Sequence, residues 1–211
     1  MNGKLIAIEG IDGAGKSTLI KYVSEKLKES NIPTVVINTR EEKQENLFNL
    51  IIQQYHLKND SSAYMFFFQM LHACKVERVK KALNDGNIVI ADRWDFSFFV
   101  YHQNFGFLSK ESNQLLKDIS RLAFNDLRPD LGIYLDVKLE KAIDRRLWRG
   151  ETLSDIKKEK KMYKIIQKSY KKLAINQCWE IVDANQDFET TKNIVFKTIK
   201  ETIKNSPKKY I

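Results

Sequence analysis

A glycine-rich motif near the start of the chain constrains its fold more than any other feature of the sequence. Residues 4 to 18 read KLIAIEGIDGAGKST, in which a short apolar run leads into the pattern G-x-x-x-x-G-K-[ST]. The apolar side chains that come next share one helical face: Leu19, Ile20, Val23 and Leu27. A strand, a loop of this pattern and a helix in direct succession form a phosphate-binding loop. The motif therefore predicts that the chain binds a nucleoside triphosphate.

Each residue type in this loop has a physical role in binding phosphate. Glycines allow the backbone N–H groups to point inward, and Lys16 supplies a positive charge for the β- and γ-phosphates. The hydroxyl of Ser17 is a ligand suited to Mg²⁺. The predicted triphosphate site consists of Gly10, Ile11, Asp12, Gly13, Ala14, Gly15, Lys16, Ser17 and Thr18.

Strand patterns and helix patterns alternate along the rest of the 211 residues. Five apolar runs are predicted to be strands: 5–8, 34–37, 88–91, 132–135 and 180–182. Seven longer segments are predicted to be helices: 17–29, 45–55, 62–84, 110–125, 139–148, 158–175 and 188–205. This alternation predicts one α/β domain over residues 1–211, with a five-stranded, mostly parallel, doubly wound sheet and helices on both faces.

The net charge of +9 is concentrated in one segment. From Lys138 to Lys172 the chain has 13 Lys or Arg against 5 Asp or Glu. Such a basic stripe binds nucleic acid, closes over nucleotide phosphates or forms a solvated helix face. From Lys157 onward the lysines interleave with apolar residues at helical spacing, which favours the solvated face. We therefore expect no nucleic-acid partner.

The cysteine and hydropathy patterns bear on where the chain works. Cys74 and Cys178 lack C-x-x-C spacing, which favours a reducing compartment and no structural zinc. The sequence has no secretory signal pattern and no run of about 18 apolar residues. We expect a cytoplasmic protein with no membrane partner.

Polar residues just after the predicted strands are the candidate site, because ligands of doubly wound sheets bind at the carboxyl ends of strands. Asp12 is expected to face an acceptor hydroxyl or a cation, since a carboxylate beside a triphosphate is unfavourable. Arg40 and Arg93 follow two predicted strands and can converge on one anion through paired hydrogen bonds. Asp92 reaches Mg²⁺ or its waters in one interpretation and forms a buried ion pair with Arg93 in the other.

A predicted lid covers residues 145 to 157, around Gly150. Arg145, Arg146 and Arg149 lie at its start. Phosphoryl transfer needs positive charge where negative charge spreads in the transition state, and a closing loop delivers that charge while it excludes water. The alternative is that some of these arginines form surface ion pairs within their helix.

An aromatic cluster lies near the start of the long helix predicted over 62–84. Tyr64, Phe66, Phe67 and Phe68 cannot all face one core, so at least one is free to line a pocket. We predict that Phe67 is that residue and that a base stacks on it. Plain core packing is the alternative.

Three sequence blocks, taken together, match the pattern of a known family. They are residues 8–18 (IEGIDGAGKST), 91–101 (ADRWDFSFFVY) and 128–137 (RPDLGIYLDV). Together they resemble thymidylate kinases, which phosphorylate dTMP to dTDP with ATP. The resemblance covers nearly the whole chain and implies a P-loop kinase fold, ATP and Mg²⁺ as cofactors, and a homodimer.

The resemblance also implies individual roles. Arg93 and Arg40 would hold the acceptor phosphate, Asp12 would approach the acceptor sugar, and Ser97 and Tyr101 would line the base pocket. Gly13 stands where some members have an arginine, so the catalytic arginine is expected from the lid. The predicted catalytic residues are Asp12, Lys16, Arg93, Arg145 and Arg149, and the predicted metal ligands are Ser17 and Asp92.

The chain departs from the family pattern at three places. Arg40-Glu41 continues into Glu42-Lys43-Gln44, where Arg-Glu-Pro-Gly-Gly is usual, and residues 154–157 lack the common Asp-Arg pair. The usual Phe-x-x-x-Arg, whose arginine reads the thymine carbonyl, aligns with Phe67 and Leu71. We predict dTMP as the acceptor. Another nucleoside monophosphate, a degraded nucleotide-binding relative and an ATPase that acts on nucleic acid are the alternatives.

Overall fold

A five-stranded parallel sheet forms the centre of the molecule. The computed structural model describes residues 3–38, 42–58, 61–105, 113–152 and 156–205, with 42–45, 48 and 113 described by their backbone alone. The strands are β1 (Lys4–Glu9), β2 (Thr34–Ile37), β3 (Ile88–Asp92), β4 (Leu131–Asp136) and β5 (Glu180–Asp183). Their order is β2-β3-β1-β4-β5, and each of the four neighbouring pairs is parallel.

Helices cover both faces of this sheet in the described part of the chain. They are α1 (Lys16–Glu29), α2 (Glu42–Tyr55), α3 (Ser62–Asn84), α4 (Asp95–Asn104), α5 (Asn113–Phe124), α6 (Leu139–Trp148), α7 (Ile156–Asn176) and α8 (Phe188–Lys204). Within those residues, none of the helices is both long enough and apolar enough to cross a lipid bilayer.

The central strand β1 is apolar from Leu5 to Ile8 because both of its faces are buried. Ile6 and Ile8 of β1 point into a core that includes side chains of α1, α7 and α8. Leu5 and Ala7 alternate with them and point into a second core that includes α3 and α5. The predicted α/β class and the doubly wound sheet are confirmed, and the sheet is parallel in every pair.

Helix α4 is the element that the sequence patterns missed. Phe96, Phe98, Phe99 and Val100 are all buried, although they lie on different sides of this ten-residue helix. A helix that is covered on most sides has no polar stripe, and so it lacks the 3.6-residue periodicity used to predict helices. Residues 110–112 of the fourth predicted helical segment, 110–125, lie outside the described residues.

Strand register determines where the functional residues meet. Ile8 of β1 lies opposite Asp92 of β3 on one side and opposite Ile133 of β4 on the other. The loop that follows β1 and the residues that follow β3 therefore leave the sheet side by side. This is the edge at which doubly wound sheets bind their ligands.

Candidate active site

The loop between β1 and α1 offers backbone N–H groups to an anion. Gly13 and Gly15 have φ angles of +85° and +97°, in the left-handed region that favours glycine. A Cβ atom on Gly13 would lie 2.2 Å from the carbonyl oxygen of Ala142, so no side chain fits there. Gly15 occupies the N-cap of α1 without a capping side chain, which leaves the first-turn N–H groups available to a phosphate.

Lys16 extends back over this loop. Its Nζ donates hydrogen bonds to the carbonyl oxygens of Gly10 and Ile11, each over 3.0 Å. Burial, together with the nearby charge of Arg93, lowers the pKa of Lys16 to about 8. The ammonium group is therefore largely protonated at neutral pH and lies at the predicted phosphate site.

A cavity of about 380 Å³ lies in front of the loop. Ser17 and Asp92 both line it, and hydroxyl and carboxylate oxygens are ligands that Mg²⁺ prefers. These two residues therefore fit the predicted metal-binding role. The full lining is Asp12, Gly13, Gly15, Lys16, Ser17, Thr18, Asn38, Asp92, Arg93 and Arg149.

Glu9, at the carboxyl end of β1, is a fully buried carboxylate with 0% exposure. Its Oε1 accepts hydrogen bonds from the N–H groups of Trp94 (2.7 Å) and Ser97 (3.1 Å). Its Oε2 accepts from the hydroxyls of Ser97 (2.8 Å) and Tyr170 (3.2 Å). Burial raises the pKa of Glu9, and the charge of Arg93 with these hydrogen bonds opposes that rise. Glu9 thus connects β1 to α4 and α7.

Arg93 lies beside Glu9 and takes an uncommon backbone conformation. Its φ is +67°, which is rare for a residue other than glycine and costs conformational energy. The guanidinium donates to the carbonyl oxygen of Gly10 (3.1 Å) and to the hydroxyl of Tyr170 (3.0 Å). It also forms a close ion pair with Asp12. A guanidinium nitrogen of Arg93 also lies 4.0 Å from the Oε2 of Glu9. The two interpretations of Asp92, as a metal ligand and as a partner of Arg93, both stay predictions.

Asp12 faces Arg93 from within the phosphate-binding loop. The hydroxyl of Tyr163 donates a hydrogen bond of 3.1 Å to its Oδ2. Burial acts to raise the pKa of Asp12, but the charges of Arg93 and Lys16 prevail and hold it at about 2. The carboxylate is therefore ionised and able to accept a further hydrogen bond.

The two predicted base-pocket residues of α4 lie next to this cluster. Ser97 and Tyr101 are one helical turn apart, and the Ser97 Oγ accepts a hydrogen bond of 3.2 Å from Arg93. Burial raises the pKa of Tyr101 to about 12, with Arg93 opposing the rise. The structure thus brings Ser97 and Tyr101 to Arg93. Arg40, the predicted second phosphate-binding arginine, lies outside the described residues.

The base-facing part of α3 is less polar than the family pattern predicts. Phe67 is half-buried, and Leu71, one turn later, is 6% exposed. Lys75, a further turn along, is 2% exposed and was not predicted as a site residue. Burial lowers the pKa of Lys75 to about 7, although Asp92 and Glu9 act to raise it. Leu71, the residue that the resemblance aligns with the family's arginine, is therefore a buried aliphatic side chain.

The lid arginines diverge rather than act as a group. Arg145 donates to the carbonyl oxygens of Gly13 (3.2 Å) and Ala14 (3.3 Å), so it is held against the phosphate-binding loop. Arg149 lines the cavity in front of the loop, and its guanidinium donates to Glu151 over 2.7 Å. Residues 153–155 of the predicted lid lie outside the described residues.

Arg146 lies closer to Asp12 than its place in the sequence suggested. Its guanidinium is held by Glu151 (2.7 Å) and Glu159 (2.9 Å) and lies 5.3 Å from the centre of the Tyr163 ring. Its charge contributes to the low pKa of Asp12. Arg146 therefore lies next to Tyr163, which is itself bonded to Asp12.

Comparison with known proteins agrees with this geometry. A family model described as thymidylate kinase matches residues 8–195. The chain belongs to the thymidylate kinase family. It is 30% identical to the thymidylate kinase of Legionella pneumophila (strain Corby) over 214 residues, which cover 98% of both chains. It is also 30% identical to that of Prochlorococcus marinus (strain AS9601), with 98% of both chains covered, and to that of Ureaplasma parvum serovar 3, with 95% and 89% covered.

Membership of the thymidylate kinase family defines the class of chemistry. The chain is an ATP-binding phosphotransferase of the nucleoside monophosphate kinase type. This result supports the kinase interpretation over the interpretation as an ATPase that acts on nucleic acid.

Tyr163, Tyr170 and Glu9 were absent from the sequence prediction. The two tyrosines are seven residues apart on the buried face of α7, where they looked like core packing. Glu9 ends an apolar strand, and a charge at that position is the signal that identifies it as a buried, bonded group.

We predict that Glu9→Gln lowers the free energy of unfolding by about 1–3 kcal/mol, because an amide NH₂ would face donors that need an acceptor. Urea denaturation followed by circular dichroism measures the change. Glu29→Gln is the matched control, because Glu29 is an exposed carboxylate on α1 and its loss should cost no more than about 0.5 kcal/mol. Equal effects of the two substitutions would contradict the connecting role of Glu9.

Proposed function

We propose that this kinase transfers the γ-phosphate of ATP to dTMP, forming dTDP and ADP. The observation that carries the proposal is one cavity that brings two functional pairs together. Lys16 and Ser17 of the phosphate-binding loop line it, and so do Arg93 and Asp12. Donor and acceptor would therefore meet in one enclosure. The names of the related proteins support dTMP as the acceptor.

In the proposed reaction an oxygen of the acceptor phosphate attacks the γ-phosphorus of ATP. The bond from that phosphorus to the β–γ bridging oxygen breaks, and ADP leaves with the bonding electrons. Arg93 neutralises the acceptor phosphate and holds it in line, while Lys16 and the N-terminus of α1 bind the donor phosphates. Asp12 accepts a hydrogen bond from the acceptor sugar hydroxyl. Ser17 and Asp92 would hold Mg²⁺, which when bound would offset the charge of the donor phosphates.

Arg149 is the predicted catalytic arginine best placed for the transferred group. It lines the cavity that contains Lys16 and Arg93, whereas Arg145 is bonded to the loop carbonyl oxygens of Gly13 and Ala14. Its own ion pair is with Glu151 on the surface, where solvent screens it. Arg149 can therefore exchange Glu151 for a phosphate oxygen at little cost in free energy. We assign transition-state stabilisation to Arg149 and positioning of the loop to Arg145.

Leu71 is the reason to consider a nucleoside monophosphate other than dTMP as a second acceptor. Its buried aliphatic side chain offers no hydrogen bond to a base carbonyl. Loss of a side chain that hydrogen-bonds to the base lowers the discrimination between bases by large factors. A broader range of deoxynucleoside monophosphates is therefore the alternative to strict use of dTMP.

A coupled assay of ADP release tests the proposed function. The acceptors to be compared are dTMP, dUMP, dCMP, dGMP and their ribose forms. We expect turnover with dTMP to be fastest. In Lys16→Met the rate should fall at least about 10²-fold, because the variant lacks the positive charge that stabilises the transferred phosphoryl group. Circular dichroism of Lys16→Met should match that of the parent protein. A lack of stimulation by any monophosphate would instead indicate a degraded nucleotide-binding relative.

For Arg149→Ala we predict a fall in kcat of about 10²- to 10³-fold with little change in the KM for the monophosphate, because the arginine acts on the transition state. Arg145→Ala should chiefly raise the KM for ATP. Steady-state kinetics of both variants distinguish the two roles. The assignment fails if Arg145→Ala carries the larger loss in kcat.

We also propose a homodimer, formed through the outward face of α3. Phe66 and Met70 lie one turn apart on that face and are 60% and 47% exposed, an arrangement typical of an interaction surface. Sedimentation velocity should give a dimer for the parent protein and a monomer for Phe66→Asp/Met70→Asp. Ile175→Asp, at an exposed apolar position of α7, is the control that should stay dimeric.

A cytoplasmic location, without a nucleic-acid or membrane partner, completes the proposal. Cys74 and Cys178 are exposed free thiols, which suits a reducing compartment. The basic charge of α7 lies on exposed lysines behind the buried face that carries Tyr163 and Tyr170.

A further inference from the structure

A second cavity, of about 460 Å³, adjoins the one that contains Lys16. The two cavities share Gly13, Gly15, Thr18 and Arg149 in their linings. Resting on the proposed function, a triphosphate bound along the loop would direct its nucleoside into this second space. The remaining lining residues are Ala14, Leu19, Leu135, Asp144, Arg145, Trp148, Ala184, Phe188 and Thr191.

Two polar side chains in this wall, those of Arg145 and Thr191, are already engaged with the protein backbone. The guanidinium of Arg145 donates to the carbonyl oxygens of Gly13, Ala14 and Ala184. The hydroxyl of Thr191 donates to the carbonyl oxygen of Asp187 over 3.0 Å. Groups that are satisfied in this way contribute little to reading the edge of a base. The exposed wall of the cavity is mostly apolar, so recognition in this cavity depends mainly on apolar contact.

Trp148 is the residue suited to provide that contact. It lines the cavity, yet its side chain is 93% exposed. It lies three residues after Arg145 in α6, so the two side chains share one face of the helix. Because Arg145 is bonded to the phosphate-binding loop, this face of α6 is held against the loop and Trp148 lies at the rim of the cavity.

An indole at the rim of an apolar cavity exposes both of its faces to water. Stacking on another flat ring removes apolar surface from water and is therefore favourable. Base–aromatic stacking tolerates any base, because every base has a π-face, and it strengthens with ring area. Phe188, which is 41% exposed, lines the same cavity and adds apolar surface. The other two tryptophans are unsuited to this role, because Trp94 is buried and Trp179 stacks on Phe96.

We propose that Trp148 stacks on the base of the donor nucleotide and that ring area, rather than hydrogen bonding, selects the donor. Purine triphosphates are then favoured over pyrimidine triphosphates, and ATP and GTP bind with similar affinity. The phosphates contribute the part of the affinity that is common to all of these donors.

Binding measurements that do not depend on turnover test this proposal. Tryptophan fluorescence of the parent protein should be quenched by ATP and GTP but not by inorganic tripolyphosphate, which has no ring. By calorimetry, Trp148→Ala should weaken the binding of ATP about 5- to 100-fold and leave tripolyphosphate binding unchanged. Trp148→Phe should keep most of the affinity for ATP while losing the fluorescence response. Leu147→Ala, at the neighbouring exposed position, is the control that should change neither.

Two outcomes would overturn the proposal. One is unchanged ATP and GTP affinity in Trp148→Ala, which would indicate that the exposed indole serves another purpose, such as contact with a partner protein. The other is an equal loss of tripolyphosphate binding, which would indicate that Trp148 supports the loop. Quenching by ATP without phosphoryl transfer to any monophosphate would count against the proposed function alone.

Discussion

The buried carboxylate of Glu9 is the constraint on which the rest of the site depends. A charge at the end of the central strand is unfavourable unless it is fully hydrogen-bonded and paired with an opposite charge. Four donors from the start of α4 and from α7 meet the first requirement, and Arg93 meets the second. The backbone of residues 93–97 must therefore turn back towards β1. That turn accounts for the left-handed conformation of Arg93 and for the direction of its guanidinium.

The parts of this architecture that could be predicted from the sequence are those encoded locally. The phosphate-binding loop was predictable because its glycines and Lys16 act within a few residues of each other. Strands buried on both faces were predictable from short apolar runs, since a parallel sheet with two cores needs no polar alternation. Helix α4 was missed for the opposite reason, because burial on most sides removed its periodic signal.

Long-range partners could not be predicted from the sequence. Tyr163 bonds to Asp12 across 151 positions, and Tyr170 bonds to Glu9 across 161 positions. No local pattern marks such a pair, since each tyrosine also suits a core position on an amphipathic helix. The three lid arginines show the same limit. Successive residues of a helix point about 100° apart, so Arg145 and Arg146 face different partners although they are adjacent in the chain.

The close contact between Gly13 and Ala142 has a mechanical consequence. With no side chain at Gly13, the backbone of the phosphate-binding loop lies directly against the backbone of α6, and Arg145 adds hydrogen bonds across the same junction. The loop and the first two turns of α6 therefore form a single rigid part, and neither can tilt without opening the other. Gly150, whose surroundings are open and whose φ is +81°, is the first residue past this junction that can act as a hinge. A movement of the residues that follow α6 can therefore begin at Gly150 while the phosphate-binding loop keeps its position against the helix.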